Sequence, residues 1–110
     1  MRNQGPSIAK LGSFLSRFKG YMFSSESNVK CGLFFPNCGS LHTCFMLFRI
    51  DIFCLNRSGV VIDIRRNVSP WRFCFFSEVA HVVEVPSNRV SDLGFDCVEI
   101  GYEFVVNNIR

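Results

Sequence analysis

Cys38 and His42 stand four positions apart in Pro36-Asn37-Cys38-Gly39-Ser40-Leu41-His42, where a thiolate and an imidazole could meet. A nucleophile and its base need only approach to ~3 Å. A hydrolase-like or redox enzyme built on this pair is one reading. Zinc would need three or four donors at matched spacing, and His81 with the other cysteines forms no second recognisable pair. The plainer reading makes Cys38 a packed thiol and His42 a hydrogen-bonded strand residue. A loop thiol becomes a nucleophile only where local charge draws out the thiolate. Gly12, Gly20, Gly32 and Gly39 are isolated, so no phosphate-binding loop is present, and Gly-x-Ser-x-Gly is absent. These patterns name no catalytic residue, metal or cofactor.

A second group is more informative. His42, Thr43, Asp51, Arg72 and Glu84 are polar residues set among apolar runs, with Met46 and Trp71 beside them. Burying an ionisable group alone is costly, so each needs a partner. We expect Asp51 to pair with Arg72 or Arg49, and His42–Thr43 to form the adjacent polar edge. One outcome is an ion pair that fixes strand register. The other is a ligand-binding cleft lined by Phe and edged by His42, Asp51 and Arg72, with Thr43, Met46, Trp71 and Glu84 around it.

The elements that must position these residues centre on Leu41–Ile64. Cys44, Met46, Phe48, Ile50, Ile52 and Cys54 alternate with Phe45, Leu47, Arg49, Asp51, Phe53 and Leu55. Successive strand side chains point to opposite faces, so this stretch predicts one long bent strand covered on both sides. Asn56-Arg57-Ser58-Gly59 predicts a tight reversal. The return strand follows, with Val60, Ile62 and Ile64 on one face and Val61, Asp63 and Arg65 on a partly solvated one.

LHTCFMLFRIDIFCLNRSG resembles the core motif of a small, mainly prokaryotic family, domain-of-unknown-function family 192. His42, Thr43, Met46, Phe48, Ile50, Asp51, Ile52, Leu55 and Gly59 match it. Cys44, Leu47, Arg49, Cys54 and Asn56 depart from it. Arg17-Phe18-Lys19-Gly20-Tyr21-Met22, Gly32-Leu33-Phe34-Phe35, Pro70-Trp71-Arg72 and Val79–Glu84 extend the likeness over about residues 17–104. The resemblance implies no activity, because the family has none assigned.

Elsewhere, Ile8, Leu11, Leu15, Phe18 and Met22 recur at helical spacing, predicting an N-terminal amphipathic helix capped by Ser7. Residues 1–6 read as a frayed end. Gly32–Phe35 and Val79–Val85 predict strands, and Phe73–Phe76 a strand or a pocket wall. Ser87–Gly94 predicts a short second helix capped by Ser87, and Val98–Val106 a closing hairpin or bulged strand. The expected fold is α+β and β-rich: a small barrel-like sheet, the N-terminal helix and the short second helix, in a single domain over residues 1–110.

Composition sets limits. Thirteen Phe and 48% hydrophobic residues give an aromatic-rich core and raise the chance of an exposed apolar patch. The net charge of +3 comes with no basic cluster interleaved with stacking aromatics, so no nucleic-acid partner is expected. No window reaches the ~20 apolar residues of a transmembrane helix, and no signal peptide is evident. Six cysteines without such a leader are read as reduced thiols in a cytoplasmic protein. The leading function is a non-enzymatic module binding a small molecule or protein. The rivals are the Cys38–His42 enzyme and a homo-oligomer that pairs through a sheet edge.

Overall fold

The computed structural model describes Pro6, residues 8–10, Tyr21 and residues 24–104. Its frame is a five-stranded sheet in the order β1-β2-β7-β4-β5, with β1 (Ile8–Lys10), β2 (Gly32–Phe35), β4 (Ile50–Leu55), β5 (Val61–Val68) and β7 (His81–Pro86). A separate two-stranded ribbon pairs β3 (Ser40–His42) with β6 (Phe73–Phe75). Only β1 and β2 run parallel.

β4 and β7 are buried at every position, as central strands covered on both faces must be. Register puts Phe53, Val83, Phe34 and Ile64 on one face. Phe95 packs there, its ring 5.4 Å from that of Phe53. Gly32 lies beneath Phe95: a Cβ at this position would come within 2.8 Å of its ring. Ile52, Glu84 and Leu33 occupy the opposite face.

The reversal at Asn56–Gly59 forms as expected. Asn56 Oδ1 accepts the Ser58 and Val60 amides, at 2.9 and 3.0 Å. Gly59 takes φ 92°, a left-handed conformation that glycine adopts without a Cβ clash. The return strand departs from strict alternation. Ile50 opposes Val68 but Ile52 opposes Arg65, and Cys54 opposes Asp63 but Leu55 opposes Val61. Each shift places an extra β5 residue in the ladder, a β-bulge, and each inverts the inside–outside order. Val61 is therefore buried and Ile62 exposed, the reverse of the expected faces.

Five further expectations are overturned. First, the sheet is open, ending at β1 and β5, so the fold is not a barrel. The start of β5 is instead bonded by the C-terminal segment: Val61 N–H donates to Tyr102 O, and Gly101 N–H to Val61 O, both at 2.8 Å. Second, Ile8–Lys10, where the N-terminal helix should begin, is strand β1. The open edge of β2 offers these residues a ladder, Ile8 opposite Gly32, and tertiary pairing overrides helical periodicity. The rest of that expected helix lies outside the described residues, apart from Tyr21. Third, the long strand breaks after His42. Phe45 has φ 64° and Met46 N–H turns back to Thr43 O at 3.3 Å. Fourth, the second helix is a single 3-10 turn, Ser87–Arg89, with no side-chain cap: the N-cap position falls on Pro86, which has no capping oxygen, and the Ser87 hydroxyl donates to Asp51. Fifth, the described part of Val98–Val106 forms turns and one isolated bridge, Val60 to Glu103, rather than the expected closing hairpin or bulged strand.

Candidate functional site

Thr43 joins two loops into one corner. It is fully buried. Its N–H donates to Arg72 O at 2.8 Å, and its carbonyl accepts the Trp71 amide at 3.0 Å. Its hydroxyl donates to Ser69 O and accepts the Arg72 amide, each at 2.8 Å. The fastened loops carry Phe45 and Trp71, whose rings meet edge-on at 4.6 Å. Both residues sit at positive φ, 64° and 66°. Bulky side chains rarely adopt that region, and such strain persists only where the surroundings enforce it. Thr43 supplies the enforcement.

Thr43→Val keeps the side chain's shape and removes both hydroxyl bonds. It should lower stability by about 1–2 kcal/mol and shift the emission of Trp71, the chain's one tryptophan. Thr43→Ser should retain most of both. Urea unfolding followed at Trp71 reads the two effects together.

His42 lies next to this corner, its Nδ1 accepting the Cys44 amide at 3.1 Å and its ring 6.4 Å from Phe73. Arg72 is exposed, and its Nε donates to Ser69 Oγ at 3.2 Å. Met46 is buried in the core. The ribbon carries two more exposed rings. Phe73 and Phe75 share one face of β6 and are 69% and 75% exposed; Trp71 is 60% exposed and Phe45 45%. The structure thus brings His42, Thr43, Trp71 and Arg72 together and adds Phe45, read in the sequence only as part of the long strand, with Phe73 and Phe75 from the stretch read as a strand or a pocket wall. With thirteen Phe in the chain, nothing local marks which ones face out.

Asp51 stands apart, and its partner is neither Arg72 nor Arg49. Arg66 Nη1 donates to Oδ2 at 2.8 Å; the Asn67 amide and the Ser87 hydroxyl donate to Oδ1 at 2.9 and 2.6 Å. Asp51 opposes the bulge formed by Arg66 and Asn67, and Asn67 has φ 59°. The carboxylate therefore satisfies the amide that the bulge removes from the ladder. Arg49 binds the other side of the same peptide pair, donating to Asn67 O at 3.1 Å. This is a device that sets register.

Glu84 is entirely buried, and its Oε1 has no hydrogen-bond partner. Desolvation pushes its carboxyl up to about 8, so it is protonated at neutral pH. Its backbone carbonyl accepts the Tyr21 hydroxyl at 3.1 Å. Burial likewise raises the Cys54 thiol to about 12, a packed and inert group. Cys38 and His42 have different partners: Cys38 Sγ donates to Ser40 O at 2.8 Å, while His42 accepts from Cys44. Among the described residues no three His, Cys, Asp or Glu side chains converge as a metal site, and no helix is long and apolar enough to cross a membrane. None of the six cysteines is joined to another. An open cavity of about 430 Å³ lies elsewhere, lined by Tyr21, Ser24, Asn28, Lys30 and Leu33 among others, and holds none of the expected site residues.

The family model for DUF192, described as "Uncharacterized ACR", matches residues 6–99. The chain belongs to this family. A relative, the "UPF0127 protein" of Thermococcus sibiricus, is 32% identical over 96 residues, covering 83% of this chain. The match spans 60% of that relative's own length. A crystal structure of a protein of unknown function from Novosphingobium aromaticivorans superposes with a TM-score of 0.66 at 19% identity, over 87% of this chain and 70% of that one. A second crystal structure, described as that of a "putative transcription regulator" from Sinorhizobium meliloti, gives 0.66 at 20% identity, over 87% of this chain and 76% of that one. At that identity the likeness shows that the DUF192 chain shares their fold.

Proposed function

We propose that this DUF192 chain is a non-enzymatic protein-binding module whose contact surface is the aromatic face built on Thr43. The observation that carries the reading is the exposed set Phe45, Trp71, Phe73 and Phe75, two of them held at positive φ by a buried threonine. Soluble surfaces rarely gather large apolar side chains in one place without a partner to cover them. Aromatic residues and Arg are enriched in interface cores, and Arg72 borders this one. His42, Thr43, Met46, Trp71 and Arg72 make up or support the site. Asp51 and Glu84 contribute to the scaffold beneath it.

The test is photo-crosslinking in cells with a photoreactive phenylalanine analogue at position 45. The same analogue at Ile100, which is 61% exposed in the C-terminal turn region, is the control. Adducts to a defined protein should form from position 45 only and disappear with Trp71→Ser. Equal labelling from both positions, or none from 45, would overturn the reading.

A further inference from the structure

The ribbon that carries Phe73 and Phe75 has an unused edge. The Phe76 amide donates to Gly39 O at 2.9 Å and the Thr43 amide to Arg72 O at 2.8 Å. The hydrogen-bonded pairs between β3 and β6 are therefore Gly39–Phe76, Leu41–Cys74 and Thr43–Arg72. The pairs Ser40–Phe75 and His42–Phe73 lie between them. In an antiparallel ladder such intervening residues turn their N–H and C=O groups away from the partner strand. The main-chain groups of Phe73 and Phe75 accordingly point outward, and among the described residues no strand pairs with that edge. A two-stranded ribbon is marginal by itself, and an added strand completes it.

We infer that a second copy of this chain pairs with it through β6, antiparallel about a two-fold axis at Cys74, to give a continuous sheet β3-β6-β6-β3. The inference rests on reading this face as protein-binding and names its partner. It uses every free main-chain group on the edge: Phe73 pairs with Phe75 of the second copy, and Phe75 with its Phe73. The two cross-strand Phe–Phe contacts lie on one face, the kind of pair that stabilises a ladder. The same register brings exposed Arg72 of each copy to the end of the ladder that the other's Glu78 occupies, opposite charges at both ends. A membrane surface fits less well. Hydrocarbon would receive the four phenyl and indole groups but leave the edge N–H and C=O groups unbonded, at a cost of several kcal/mol each. Strand addition satisfies both. The contact is small, which makes it a reversible, concentration-dependent dimer.

Sedimentation equilibrium of the purified chain tests this. Mass should rise from 12.6 kDa towards twice that value at high micromolar concentration. The variant carrying Phe73→Lys and Phe75→Lys should stay monomeric. Arg72→Glu should weaken association severalfold, and adding Glu78→Arg should restore it. Hydrogen exchange of the wild-type chain needs no variant: the Phe73 and Phe75 amides should gain protection as concentration rises. A chain that stays monomeric, or a dimer whose Phe73 and Phe75 amides exchange at unchanged rates, would overturn the inference. Crosslinks from position 45 to another protein would survive that failure and keep the broader reading.

Discussion

Asp51→Ala should cost about 2–4 kcal/mol, the largest loss from any single polar side chain in the sheet. The alanine strands two donors, the Asn67 amide and the Ser87 hydroxyl, at a site where Asp51 itself is only 4% exposed. Arg66 matters less. Its side chain is half-exposed and regains water when the carboxylate goes. The components therefore separate by substitution. Asp51→Asn keeps an acceptor for the amide and the hydroxyl and should retain more than half of the stability that Asp51→Ala loses. Arg66→Ala should cost about 0–1 kcal/mol. Urea midpoints of the three variants give the ranking. If Arg66→Ala proved as damaging as Asp51→Ala, the ion pair rather than the bulge would be what Asp51 serves.

Glu84→Met should act in the opposite direction. The wild-type chain buries a carboxyl whose Oε1 is unbonded, an arrangement that costs about 1–3 kcal/mol in mutational terms. Methionine fills similar space with no polar atom, so the melting temperature at neutral pH should rise by several degrees. The pH profile is the sharper test. Folding raises this carboxyl from 4.5 to about 8. Below the lower value both states hold the proton and Glu84 has no pH-dependent effect. Between the two values the unfolded chain releases it and the folded chain does not, so stability falls as pH rises. Above about 8 the folded state ionises too and the loss levels off. Glu84→Met should abolish this decline. A wild-type profile flat from pH 5 to 8, or an equal decline in the variant, would show that the carboxyl finds a partner in solution.

Much of the frame was legible. Gly32–Phe35 was read residue for residue, because Pro36 ends an unbroken apolar run. The Asn56–Gly59 reversal and the strand His81–Pro86 were read within two residues, because turn chemistry and β-branched runs are local signals. What failed depended on distant partners. Ile8–Lys10 carries helical spacing but sits on the edge of a strand that comes much later in the chain. The alternation of Val60–Arg65 was sound as a pattern and wrong as a set of faces, since a bulge shifts the phase of everything beyond it. The same displacement explains the partner of Asp51. Arg66 and Asn67 oppose it only because one residue is added to the ladder. Polar residues within apolar runs singled out His42, Thr43 and Arg72, which the structure places at one corner. Phe73–Phe76 was read as a strand or a pocket wall, but nothing local said which rings face out, since an exposed Phe and a buried one are the same letter.

The order of strands also bears on how the chain reaches this state. β2 is flanked by β1 and β7, yet residues 36–80 separate it from β7. The β4–β5 hairpin closes over five residues, 56–60, and can zip early, as local contacts do. β7 can then add to β4, and only afterwards does β2 find its antiparallel neighbour. On the ribosome, Phe34 and Phe35 emerge well before anything exists to cover them. Rapid, complete refolding in dilute solution and losses at high concentration would be the kinetic signature of that delay.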